Sequence, residues 1–178
     1  MMYVIAFVGS SGAGKTTLIE HLIRLLKDRG LRVSTVKNSH HSVEIDHPGT
    51  DSWRLKNAGS FEVVLVSESS MSMQRTFEHN AHMSIHEVIA QMYDGNDWIF
   101  VEGFKSSDLL KIEVIRSEEN SQIPLLRYDD FVVAVARPES SYSSATTALP
   151  VLPLNSPEVI ADWLIANKER FIYASPLP

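Results

Sequence analysis

Among its 178 residues the chain has no cysteine. Disulfide frameworks, thiolate metal sites and cysteine nucleophiles are therefore excluded. No apolar run is long enough to cross a bilayer as a helix. The opening stretch Met1-Met2-Tyr3-Val4-Ile5-Ala6-Phe7-Val8 is apolar but short, with no basic flank and no cleavage site. A buried strand is expected there rather than a signal peptide or a membrane span, and with it a cytoplasmic location. Basic charge is scarce: 16 Lys and Arg stand against 22 Asp and Glu, a formal net charge of −6. Nucleic-acid binding, which wants clustered cations against phosphates, is not expected. One nucleotide needs only a local cationic pocket, so the balance points to small ligands and protein partners. No internal repeat is present, and the one biased stretch, Ser140 to Thr147, reads as a loop.

What is present is an ordinary globular composition, 44% hydrophobic and 21% charged, in a length that suits one domain spanning residues 1–178. Tyr3 to Val8 is apolar on both faces, as a central parallel strand is. Thr16 to Arg29 carries Leu18, Ile19, Leu22, Leu25 and Leu26 at helical spacing and stops at Gly30. Arg32 to Val36 reads as a second strand, followed by a polar loop over 38–49 and a short helix capped by Thr50 or Asp51 and ending near Ala58. Phe61 to Val66 and Met71 to Phe77 read as a strand pair joined by a polar turn. Ile85 to Tyr93 is helical; Trp98 to Val101, Ile112 to Ile115 and Phe131 to Val135 are strands. The last helix, Pro157 to Asn167, is expected to bury Val159, Ile160, Trp163 and Leu164. This order implies a three-layer α/β fold, with a mostly parallel sheet and an inserted antiparallel strand pair; the motif Gly9 to Thr16, G-x-x-x-x-G-K-[ST], makes it the P-loop NTPase kind. Ligands in such sheets bind beyond the carboxyl ends of the strands.

That is where the most specific motif falls. Gly9-Ser10-Ser11-Gly12-Ala13-Gly14-Lys15-Thr16 fits G-x-x-x-x-G-K-[ST] without a gap, directly after a strand and before a helix. Gly9, Gly12 and Gly14 allow the backbone to curl, so that the N–H groups of Ser11, Ala13 and their neighbours point at phosphate oxygens. The helix start adds its positive dipole end. Lys15 is placed to reach the β- and γ-phosphates, the Thr16 hydroxyl to ligate Mg²⁺, and Thr17 to touch the α-phosphate. The motif does not by itself choose among kinases, GTPases and ATPases.

Other residues bear on the γ-phosphate. The strand Trp98 to Val101 ends in Glu102-Gly103-Phe104-Lys105, and a strand-end carboxylate can hold Mg²⁺ or orient water. The loop after the second strand carries His40, His41, Asp46, Asp51, Ser52 and Arg54. Asp46 and Asp51 could bind Mg²⁺ waters or a substrate group; Asp51 and Ser52 could equally cap the helix. His40 and His41 are adjacent and point opposite ways, so a shared metal is not expected. Lys105 and Lys111 flank a polar loop and could meet an anion or simply lie exposed.

Taken together, the P-loop, Lys37-Asn38-Ser39-His40-His41, the box Asp46-His47-Pro48-Gly49-Thr50-Asp51-Ser52, Val101-Glu102-Gly103-Phe104-Lys105 and Lys111-Ile112-Glu113-Val114 resemble the molybdopterin-guanine dinucleotide biosynthesis protein B (MobB) family, from residue 3 to about 167. The resemblance implies a homodimeric GTP-binding protein with a weak Mg²⁺-dependent GTPase activity. It implies an accessory role beside the guanylyltransferase MobA, which joins GMP to molybdopterin. It also implies that Lys15 and Thr16 hold phosphate and Mg²⁺, and that Asp46, Asp51 and Glu102 are the acids around the γ-phosphate, with Asp46 and Glu102 beside the metal. The residues do not choose the base: no N-K-x-D motif is present, and Arg137 after the strand 131–135 cannot accept the guanine N–H groups. Two alternatives stay open. A small-molecule kinase would want an arginine-bearing lid, for which Arg116 and Arg127 flank an acidic stretch; a metal-insertion GTPase would want more ligands than His40, His41 and His47. The edge of the strand pair 61–77 is a candidate surface for the dimer.

Overall fold

The computed structural model describes residues 1–39, 43, 46–79, 81–92, 94–116, 129–144 and 147–177. His40, His41 and, apart from Arg116, the whole candidate lid from Arg116 to Arg127 lie outside the described residues. Two compact units are present: residues 1–38 with 84–178, and residues 39–83.

The first unit is built on six parallel strands. They are β1 (Tyr3–Val8), β2 (Val33–Lys37), β5 (Trp98–Glu102), β6 (Lys111–Val114), β7 (Val132–Arg137) and β8 (Val151–Pro153), in the spatial order β2-β5-β1-β6-β7-β8. β1 is central because nothing in it needs water: Val4 to Val8 are all buried. Its alternation feeds two cores. Ile5 and Phe7 face α1 (Lys15–Asp28) and α4 (Pro157–Ala166), packing with Leu22, Leu26, Phe100, Ile160 and Leu164. Val4 and Ala6 face the other side, with Ile85 and Ile89 of α3 (Ile85–Ile89) and with Ile99, Val101 and Leu109. The expected three layers follow. Phe7 and Phe100 meet edge to face at 5.3 Å, and burying each side chain contributes about 1.5–3 kcal/mol.

The helices obey their local chemistry. α3 starts with a complete capping box, Ser84 accepting from the Glu87 N–H while Glu87 reaches back to Ser84. It ends at Ile89, four residues short of the expected limit. α4 opens on Pro157, suited to a first-turn position. Its buried residues are Ile160, Ala161 and Leu164, whereas Val159 is half exposed and Trp163 only partly buried. Ala161 thus takes the place on the buried face expected for Val159. Within the stretch read as a loop, Glu139–Ser144 forms a 3-10 helix.

The second unit holds α2 (Asp51–Asn57) and the antiparallel pair β3 (Glu62–Val66) and β4 (Met71–Arg75), which form a two-stranded sheet of their own. Arg75 pairs with Glu62 across it at 2.7 Å. Val64, Leu65, Val66, Met71 and Met73 are exposed on this pair.

Candidate functional site

The loop between β1 and α1 is shaped by backbone no side chain would tolerate. Gly9 has φ 139°, and a Cβ there would fall 2.3 Å from the Val114 carbonyl oxygen of the neighbouring β6. Gly14 has φ 94° as the residue preceding α1, and no side chain caps the helix. The free N–H groups of the first helical turn are thus left for a ligand. Ser11, Gly12, Gly14, Lys15, Thr16, Thr17, Lys37 and Glu102 line a cavity of about 340 Å³ at this point. Gly9 and Ala13 support it from behind, Ala13 being buried.

Lys15 donates to the carbonyls of Gly9 at 3.1 Å and Ser10 at 2.8 Å. Phosphate oxygens are stronger acceptors for the same ammonium. Burial holds its pKa below the usual lysine value, Glu102 pulls it back up, and Lys105 and Lys37 push it further down. Thr16 Oγ1 lies 3.0 and 2.9 Å from the two carboxylate oxygens of Glu102. The strand register explains how they meet: Glu102 ends β5 beside Phe7 of β1 and Lys37 of β2. The chain is locked just beyond, where Gly103 donates to the Phe7 carbonyl and Asn38 to the Glu102 carbonyl.

Lys37 was not among the expected site residues. Its Nζ lies 3.3 Å from Glu102 Oε2 and 3.3 Å from Thr16 Oγ1. Only the strand pairing identifies it, because nothing in the local sequence of β2 says that it neighbours β5. A second expectation needs correcting. Lys111 is fully buried, paired with Asp129 at 3.1 Å, bonded to the Ser107 carbonyl and set over the Phe131 ring, so it serves the fold rather than an anion. Lys105 is exposed.

The expected acids divide between the two units. Glu102 stands with the P-loop. Asp46 and Asp51 belong to the second unit, where Asp46 accepts from the His47 N–H and the Thr50 hydroxyl, each at 2.8 Å. The Ser52 and Thr50 hydroxyls lower its pKa. Thr50, not Asp51 or Ser52, caps α2, accepting from the Trp53 N–H. Asp51 faces Arg54 at 3.5 Å, both exposed.

The residues of the first unit fit a nucleoside triphosphate with Mg²⁺. The cradle is open at Gly12, an ammonium and the helix start offer positive charge, and a hydroxyl beside a carboxylate is the hard oxygen set that Mg²⁺ prefers. Among the described residues no helix is long and apolar enough to cross a membrane.

Residues 4–138 match the family described as molybdopterin guanine dinucleotide synthesis protein B, MobB. A molybdopterin-guanine dinucleotide biosynthesis adapter protein of Haemophilus influenzae is 39% identical over 135 residues, 75% of this chain and 73% of the relative. One of Escherichia coli is 31% identical over 166 residues, 93% of each chain. Among solved structures, one described as Bacillus subtilis MobB has a TM-score of 0.72 at 20% identity, covering 92% of this chain and 96% of that one. Another, described as molybdopterin-guanine biosynthesis protein B, has a TM-score of 0.70 at 24% identity, covering 92% and 98%. These structures bear on the fold, and the family match spans well over half of the sequence. The chain is a member of the MobB family.

Proposed function

We propose that the protein is a GTP-binding adapter of molybdopterin guanine dinucleotide biosynthesis, holding Mg·GTP at the P-loop and hydrolysing it slowly. The observation that carries the nucleotide reading is the Thr16 hydroxyl set against the Glu102 carboxylate across the P-loop cavity. The role in the pathway follows from the family. In this reading the loop N–H groups and Lys15 bind the β- and γ-phosphates, Thr17 the α-phosphate, and Thr16 with Glu102 the metal. Mg²⁺ supplies charge neutralisation at the phosphate oxygens. Lys37 balances Glu102 and keeps that carboxylate aimed at Thr16. The absence of a second strong base beside Glu102 among the described P-loop residues suits slow turnover and a binding role. The natural partner is the guanylyltransferase MobA, with molybdopterin as the third component.

Asp46 and Asp51 are assigned to hydrolysis on the resemblance alone. Asp46→Asn and Asp51→Asn should slow hydrolysis at unchanged GTP affinity; unchanged hydrolysis would remove them from the catalytic set. The exposed apolar side chains of β3 and β4 are assigned to a homodimer, and light scattering that finds only monomer at micromolar concentration would reject that.

The decisive experiment is calorimetry with GTP, ATP and the corresponding diphosphates in Mg²⁺, on the protein and on Lys15→Ala. A preference for GTP that the variant loses supports the reading. Equal or tighter ATP binding overturns the GTP assignment and moves a small-molecule kinase to the front.

A further inference from the structure

The P-loop has two flanks, and only one is used so far. The strand order sets β5 on one side of β1 and β6 on the other. The β5 flank holds Glu102 and Lys37, the metal and γ-phosphate side. On the β6 flank, two residues beyond the strand, stands Arg116. Its guanidinium lies directly on the P-loop: a Cβ at Gly14 would fall 2.6 Å from Nη2 and 3.4 Å from Nε. The side chain is exposed, and no carboxylate among the described residues pairs with it. A planar cation held against a phosphate loop, with no carboxylate partner among the described residues, points to a ligand group on that flank.

Which end of the nucleotide it meets follows from the other flank. Lys15, Lys37 and the helix start already supply positive charge where Thr16 and Glu102 mark the metal. In the reading of the pocket as a GTP site, the metal and γ-phosphate belong to that pair and the nucleoside is assigned to the opposite flank, beside β6. The chain offers no N-K-x-D motif there. Arg137, at the end of the next strand, is buried and donates to the Ser141 hydroxyl, which removes it from consideration. Resting on the reading of the pocket as a GTP site, we propose that Arg116 determines base specificity, its guanidinium fork donating to the O6 and N7 acceptors of guanine. Adenine presents an N6 donor in place of O6, so the same fork opposes it. This assigns guanine recognition to the edge bearing O6 and N7 instead of the N1–H and N2–H edge that a carboxylate would read.

The test is a titration of wild type, Arg116→Ala and Arg116→Lys with GTP, ITP, ATP and inorganic tripolyphosphate in Mg²⁺. ITP keeps O6 and N7 and lacks only the 2-amino group, so wild type should bind GTP and ITP alike and ATP more weakly. Both variants should lose about tenfold to a hundredfold for GTP and ITP, the range of one bidentate base contact. Tripolyphosphate binding should stay unchanged, which also certifies that the variants are folded, and ATP binding should hold or tighten once the opposing donors are gone. The lysine variant keeps the charge but not the fork and should not rescue. An equal loss for all four ligands would make Arg116 a phosphate ligand and overturn the proposal. GTP preference intact in Arg116→Ala would overturn it while leaving the GTP reading standing. A wild type that prefers ATP would overturn both.

Discussion

Thr16 and Glu102, 86 positions apart in the chain, bring a hydroxyl from the first turn of α1 and a carboxylate from the end of β5 to 2.9 Å. Glu102 is mostly shielded, with 15% of its side chain exposed, while Lys37 beside it is 60% exposed. A pair of that kind adds about 0–1 kcal/mol to stability, so its value lies in orientation.

Replacing either member should therefore alter metal use more than folding. Thr16→Val keeps the shape and removes the oxygen; Mg²⁺-dependent enhancement of nucleotide affinity should vanish with the melting temperature nearly unchanged. Glu102→Gln should reduce hydrolysis by about tenfold or more, the scale of one positioned acid–base group. Calorimetry with and without Mg²⁺ and a phosphate-release assay check both. A Glu102→Gln protein with full hydrolysis would remove that residue from the reaction.

Gly9 and Gly12 make a matched steric test. A methyl group at Gly9 collides with the Val114 carbonyl, whereas at Gly12, φ 76°, it meets nothing within 4 Å. Gly12→Ala should cost about 1–2 kcal/mol, the left-handed backbone penalty alone. Gly9→Ala should cost about 1–3 kcal/mol more through overpacking against backbone. Urea denaturation of the two variants compares them directly, and equal costs would contradict the close approach of β1 and β6.

The buried pair Lys111–Asp129 should behave as structure. Lys111→Met strands the Asp129 carboxylate and should destabilise by about 3 kcal/mol. Adding Asp129→Asn removes the uncompensated charge and should recover most of that loss. Nucleotide affinity should be unaffected in both, measured at a temperature where both remain folded.

The state of Lys15 predicts an alkaline effect. Its pKa is depressed, chiefly by burial, so the ammonium is lost at a lower pH than the usual lysine value of about 10.4. Triphosphate affinity should fall as pH rises through that lowered value. Lys105→Ala removes one source of repulsion, raises the Lys15 pKa and moves the fall to higher pH. Affinity curves from pH 7 to 10 for the two proteins test this, since their difference cancels the ligand's own titration. Superimposed curves would show that Lys105 does not act on Lys15.

The parts of the site that rest on contiguous residues were legible from the sequence. Gly9 to Thr16 specify a loop through their own backbone preferences, and Glu102 stands out as a charge ending an apolar strand. Lys37 was not, because its meaning depends on β2 lying beside β5, a pairing made across more than 60 residues. β8 escaped because its three residues, Val151–Pro153, give no alternation to read, and the strand exists through its pairing with β7. The phase of α4 was displaced because Ala161, a weak hydrophobic signal, is buried while Val159 is half exposed. Lys111 looked like a surface cation because its partners, Asp129 and the Ser107 carbonyl, come from different loops.

The segment between β5 and β6 is clamped at both ends. Gly103 is fixed to β1 through the Phe7 carbonyl, and Ser107 is gripped by Lys111. Asp108 is fastened to His86 of α3 at 2.7 Å, and His86 in turn to Tyr173 near the end of the described chain. Between these anchors residues 104–106 form a short tether, in which the Phe104 carbonyl accepts from the Ser107 N–H and the Phe104 side chain packs against the core of Val4, Ile85 and Ile99. Lys105 at its centre therefore rides on a short tether instead of a swinging arm.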